Sequence, residues 1–354
     1  MGSRDLDDTP LGSGPRERNR YNERMMNGKL LLPSTVLIAA CAQSSTVGNL
    51  PAPKTIVEDS VSLVTLTGRV EGTLELPAHS LPVPVVLIIA GSGPTDRDGN
   101  SRVLPGRNNS LKMLAAGLAE HGIASLRYDK RGIAASRAAM TKEEDVRFDN
   151  FVSDAEGWIK QLRADPRFST ITVVGHSEGS LIGMIAARDA NADGYVSIAG
   201  TGRNAKDIIA AQLAAQLPPA VVEQSKQIMN KVELGEKVDS IPPFLAALFR
   251  PSVQPYLRSW FKYTPTAEIA KLTIPTRVAQ GTTDIQVSEE DAKLLANALP
   301  SARLLVVEGM NHVMKNAPPG RAEQMPTYSD PTLPVVPKLI DDVVEFVKAV
   351  KKKG

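Results

Sequence analysis

The chain has one cysteine in 354 residues, Cys41, so disulfides within the chain play no part in its stability. Charge of one sign is also missing: 41 Lys and Arg stand against 39 Asp and Glu, a formal net charge of +2. That balance gives no electrostatic case for nucleic acid or for strongly acidic substrates. Aromatics are only 4% of the chain, and no stretch interleaves them with basic residues as base stacking would need. The apolar segment 30–40 falls well short of the about 20 residues that cross a bilayer. Histidine is scarce at four residues, so any chemistry that needs an imidazole has few candidates.

What is present is a packed α/β chain. A hydrophobic content of 42% supports a buried interior, and the length suits one large core with an insertion. The most informative segment is Gly175-His176-Ser177-Glu178-Gly179. It follows the β-branched run Ile171-Thr172-Val173-Val174 and precedes a helical pattern over 181–188. A strand, then Gly-x-Ser-x-Gly, then a helix is the context of a nucleophile elbow. The serine sits there in a tight, strained turn, so the residues two before and two after it must be nearly side-chain-free. Both are glycine.

A serine hydroxyl needs a base to become nucleophilic at neutral pH. His79, His121 and His176 all come before Ser177, whereas folds with this elbow run in the order serine, acid, histidine. Only His312 follows, on a loop after the strand-like 303–307. The acid is expected between them, just past a strand. Residues 273–280 read as that strand, and Asp284 in Gly281-Thr282-Thr283-Asp284 is the candidate, with Glu289, Glu290 and Asp291 reading better as the first turn of a helix.

With these residues in order, the chain resembles a serine hydrolase of the α/β-hydrolase superfamily over about 61–350. The resemblance implies an α/β-hydrolase fold: a mostly parallel central sheet flanked by helices, with a helical cap insertion. It also implies an oxyanion hole of backbone N–H groups, since the tetrahedral intermediate carries negative charge. One donor is expected at Glu178, the other at Ser92 in the loop after strand 83–89, with Gly91 or Gly93 as the alternative. Superfamily members often carry His-Gly-x in that loop, but here the first position is Ala90. Gly91-Ser92-Gly93-Pro94, then Asp96-Arg97-Asp98-Gly99-Asn100, then Tyr128-Asp129-Lys130-Arg131-Gly132, is similar to bacterial carboxylesterases and serine-aminopeptidase-like hydrolases. Asp96, Arg97, Asp98 and Asn100 are expected to brace the loop through turns and an ion pair. Without a histidine they are an incomplete metal-ligand set, and no metal or cofactor is expected.

The resemblance implies hydrolysis of carboxylic esters of small to medium acyl chains through a Ser177-His312-Asp284 triad and an acyl-enzyme. Activity should rise with pH as the histidine base loses its proton. Alternatives on the same triad are a serine peptidase or amidase and a feruloyl-type esterase; a non-catalytic binding lipoprotein on a hydrolase fold is a third. The partner is a small ester, with no nucleic acid and with membrane contact only through Cys41.

Domain organisation follows from pattern breaks. Residues 1–24 are polar and read as a disordered leader or extension, and 25–40 as a signal segment. Ile38-Ala39-Ala40-Cys41 resembles a bacterial lipobox, which implies lipid on the Cys41 thiol and a place in the cell envelope, at the periplasmic face of the outer membrane in a Gram-negative cell. Residues 41–60 read as a tether, 61–202 and 264–354 as the core, and 203–263 as a helical cap. The cap concentrates aromatics, and Phe244, Phe249, Trp260 and Phe261 are candidates to line a substrate pocket.

Overall fold

The computed structural model describes residues 55–352. The leader, the signal segment, Cys41 and its lipobox, the tether up to residue 54 and the last two residues lie outside them. The elements run β1 (Val57–Thr65), β2 (Gly68–Leu76), β3 (Val83–Ile89), α1 (Ser110–Glu120), β4 (Ala124–Tyr128), α2 (Phe148–Ala164), β5 (Phe168–His176), α3 (Glu178–Asp189) and β6 (Gly194–Ile198). Four helices follow, α4 (Ala205–Ala214), α5 (Pro219–Leu234), α6 (Ala246–Phe249) and α7 (Gln254–Phe261). The chain then completes α8 (Pro265–Ile269), β7 (Thr276–Gly281), α9 (Glu289–Ala298), β8 (Arg303–Val307), α10 (Arg321–Gln324) and α11 (Pro337–Ala349).

Eight strands form one sheet in the order β1-β2-β4-β3-β5-β6-β7-β8. The first three neighbours pair antiparallel, and β4 through β8 are parallel. Parallel strands bury both faces, which is why β3 reads as a nearly unbroken apolar run and β5 is buried along almost its whole length. Successive side chains of β3 divide between two cores. Val85, Leu87 and Ile89 pack with α2, α3 and α9, while Val86 and Ile88 pack with α1 and α11 on the other face. The central strands β3, β5 and β6 thus lie between helical layers, with their carboxyl ends along one edge.

β1 begins at Val57, where it pairs with Leu76, so the last four residues of the expected tether belong to the sheet. Glu58 is drawn in by an ion pair to Arg127 of β4. β7 starts at Thr276 rather than 273, because Pro275 has no N–H for the ladder and instead accepts a hydrogen bond from Tyr195. The helices α4 to α7 form a third apolar cluster of their own, around Met229, Val232, Leu245 and Phe249. They rest on α2, where Trp260 stacks on Phe148 at 6.1 Å and Ser259 accepts from the Phe148 amide.

Candidate active site

β5 ends at His176 and α3 begins at Glu178, which leaves Ser177 alone to turn the chain, with φ 55° and ψ −122°. A non-glycine residue there stores strain of about 1–3 kcal/mol and persists only where its surroundings fix it. The Ser177 amide donates to Ile198, and its carbonyl accepts from Ser180. The glycines are sterically required. A Cβ on Gly175 would lie 2.2 Å from the Gly179 carbonyl oxygen, and one on Gly179 would lie 2.3 Å from that of Ile89.

Asp284 sits in the loop after β7 with its side chain fully buried. One carboxylate oxygen accepts from the amides of Gln286 and Val287; the other accepts from His312 Nδ1 at 2.8 Å and from Gln280. Burial alone would raise the Asp284 carboxyl, but the His312 charge and these hydrogen bonds outweigh it and hold it below its ordinary range. His312 follows β8 in a loop braced by Asn311, whose side-chain oxygen accepts from the amides of Val313 and Lys315. With Nδ1 donating to Asp284, Nε2 is left as the acceptor of a neutral imidazole. Ser177 Oγ has no hydrogen-bond partner among the described residues. The link between His312 and the elbow runs instead through His176, whose ring lies 4.8 Å from that of His312 and whose Nε2 donates to the His312 carbonyl at 2.7 Å. Burial, aided by the neighbouring His312, pushes the His176 pKa down to about 3, so it stays neutral. Glu289 and Glu290 lie in the first turn of α9, and Asp291 is buried there in a pair with Arg203.

The loop after β3 passes directly over the elbow. A Cβ on Gly91 would lie 3.1 Å from Ser177 Cβ, whereas one on Gly93 would meet nothing within 4 Å. Among the described residues, no acceptor bonds the amides of Ser92 or Glu178, and the latter opens the positive end of α3. The downstream part of the loop is braced by a buried network. Asp96 caps the turn through the amides of Asp98 and Asn100, Arg97 forks onto Asp129, and Asp98 pairs with Arg127, which also holds Glu75. Two residues assigned no role from sequence emerge here, His176 and Lys130. Lys130 is buried just past β4, donating to Glu178 at 2.5 Å and to the Gly91 carbonyl at 2.6 Å. Its only sequence signal is a lysine just past the carboxyl end of a strand; its pairing with the residue after the nucleophile is visible only in the fold.

The four aromatics expected to line a pocket have different surroundings. Phe249 and Phe261 are buried in the core of the α4–α7 insertion, Trp260 packs between that core and Phe148, and Phe244 is exposed. Amphipathic helices must bury an apolar face, and these side chains supply it.

A family model described as serine aminopeptidase, S33, matches residues 107–242, a span that contains the elbow and stops before Asp284 and His312. Esterase EstD of Thermotoga maritima is 28% identical over 267 residues. The match takes in 74% of this chain but 61% of that protein, so this chain matches less than two thirds of its relative's length. Among solved structures, the alpha/beta hydrolase GrgF from Penicillium sp. sh18 superposes with a TM-score of 0.55 at 19% identity, over 82% of this chain and 98% of that one. Est1E from Butyrivibrio proteoclasticus does so with a TM-score of 0.51 at 15% identity, over 82% and 96%.

Proposed function

This chain is an α/β-hydrolase by fold, and from that premise we propose that it is a serine carboxylesterase acting on small-molecule esters. The observation that carries the reading is the 2.8 Å bond between His312 and the buried Asp284, at the sheet edge where the elbow serine turns. In this reading His312 takes the Ser177 proton through Nε2, and Ser177 attacks the ester carbonyl. Asp284 keeps the proton on Nδ1 and stabilises the imidazolium that forms. In this reading the Ser177 to His312 hydrogen bond forms when substrate binds, as catalytic hydrogen bonds are often unmade or long before it does. The amides of Glu178 and Ser92 receive the oxyanion, and water then resolves the acyl-enzyme with His312 as base. The similarity to Esterase EstD supports ester over amide substrates.

A nitrophenyl-ester chain-length series on the protein and on Ser177→Ala tests this. We expect turnover that Ser177→Ala abolishes, with a fluorophosphonate adduct on Ser177. Unchanged turnover in Ser177→Ala would end the proposal. The family description favours one second reading, an aminopeptidase, and aminoacyl anilides in the same series decide between them. A feruloyl reading would need an aromatic slot from Phe244 and Trp260, since Phe249 and Phe261 pack in the insertion core, and methyl ferulate in the same series tests it. We further propose that α4–α7 cap the site and that Cys41 carries lipid at the cell envelope. Loss of radiolabelled palmitate in Cys41→Ser checks the latter.

A further inference from the structure

Resting on the esterase reading, we propose that Lys130 is a positioning residue for the oxyanion hole, tying its two donor segments together with one ammonium. The lysine and Glu178 side chains are each 2% exposed. Lys130 Nζ reaches the Gly91 carbonyl at 2.6 Å and Glu178 Oε2 at 2.5 Å, and lies 5.1 Å above the Phe151 ring. Glu178 supplies one oxyanion donor. Gly91 supplies the carbonyl of the peptide whose N–H, on Ser92, is the other. The only cis peptide among the described residues is Leu81-Pro82, so the Gly91-Ser92 peptide is trans. Carbonyl and N–H of a trans peptide point in opposite directions in one plane. By holding the Gly91 carbonyl, Lys130 turns the Ser92 N–H the other way, and a cation on the carbonyl polarises that N–H into a stronger donor.

The pair is a poor stability device. Burying two charges costs desolvation that an apolar pair of similar size avoids, and Glu178 Oε1 is left without a partner among the described residues. A positioning role accounts for charges at this place. Other charges near the elbow do different work: Arg131 pairs with Asp154, and Arg97 with Asp129.

The test compares Lys130→Met, Glu178→Gln and the double variant with wild type. It measures kcat and KM on nitrophenyl butyrate, thermal midpoint, and affinity for a trifluoromethyl ketone whose hemiketal oxygen occupies the hole. We expect Lys130→Met to lower kcat about 100-fold with KM within about threefold, and to weaken the ketone in parallel, as losing a donor does. Glu178→Gln keeps an acceptor for the ammonium and should stay within about tenfold of wild type. The double variant carries no buried charge, so it should recover the wild-type midpoint yet keep the kcat loss. A double variant that regains both stability and kcat shows a purely structural pair and overturns the proposal. So does a Glu178→Gln loss as large as that of Lys130→Met, which would make the charge pairing, and not the grip on Gly91, the effect. If wild type hydrolyses no ester, or Ser177→Ala does so equally, the esterase reading falls and this inference with it. If those controls hold and Lys130→Met keeps wild-type kcat, only this inference falls.

Discussion

His176 and His312, far apart in sequence, are joined by a 2.7 Å hydrogen bond from the His176 ring to the His312 carbonyl. The residue before the candidate nucleophile thereby holds the backbone of the candidate base. Because the acceptor is a carbonyl, His176 Nε2 must carry its proton, and the ring is neutral.

Replacing His176 with phenylalanine keeps ring bulk and removes the donor. A shift of about 1 Å in His312 costs up to about 100-fold in rate, so kcat should fall about 10- to 100-fold in His176→Phe. The same variant reads out linkage. The His176 pKa is about 3 when folded, against 6.5 ordinarily, with His312, Asp284 and Lys130 the charged or titratable groups acting on it. Between those values the unfolded chain binds the proton and the folded one does not. The His176 contribution is therefore complete above about pH 6.5 and is lost as pH falls toward about 3, at up to about 1.4 kcal/mol per unit. Urea unfolding from pH 7 to 4 should show wild type losing stability faster than His176→Phe. Parallel curves would mean that His176 is not held neutral.

Ser177→Gly separates strain from chemistry. Glycine adopts φ 55° freely, and relief of about 1–3 kcal/mol is only partly offset by the 0.5–1 kcal/mol that glycine loses in entropy. We expect an inactive protein about 1 kcal/mol more stable than wild type by denaturant titration, and a destabilised one would refute a strained elbow.

Asp284→Asn should leave the fold nearly intact, since an amide oxygen still accepts from the backbone of Gln286 and Val287. It removes the charge that fixes the His312 tautomer, so kcat should drop by about 10⁴ with little change in thermal midpoint. A loss of tenfold or less would show that the carboxylate is not needed.

Phe249→Ala tests what the insertion aromatics do. Fully buried among Leu245, Met229 and Val232, Phe249 should cost about 3–5 kcal/mol when truncated, with no change in acyl-chain preference among molecules that remain folded. A shifted chain-length profile would restore it to the substrate pocket.

The sheet was legible because buried parallel strands are written as apolar runs, and β3 and β5 stand close to where their runs lie. The elbow was legible for a steric reason: only glycine clears the carbonyls at 175 and 179. What sequence could not reveal is direction within an apolar helix face. The spacing of Phe249, Trp260 and Phe261 is the same whether they face a ligand or one another, and only the packing of α5 and α7 decides it. Lys130 and His176 escaped for a related reason, since their partners, Gly91 with Glu178 and His312, become neighbours only through strand order.

The loop that carries His312 has a buried cation of its own. Lys315 is fully buried, donating to the Leu333 carbonyl and to Met113 Sδ, with no carboxylate bonded to it among the described residues. Burial pushes its pKa down to about 8 from 10.5, partly countered by Asp330. Between those two values the unfolded chain holds the proton and the folded one has released it, so this group makes the fold more stable as pH rises from about 8 toward 10.5. Below about 8 the buried ammonium is a standing cost. Lys315→Met should therefore be more stable than wild type at pH 7, with the advantage shrinking by up to about 1.4 kcal/mol per unit above about pH 8. Paired urea titrations at pH 7 and 9.5 measure the shrinkage. A stability difference that stays constant between them would show that Lys315 keeps its ordinary protonation in the folded protein.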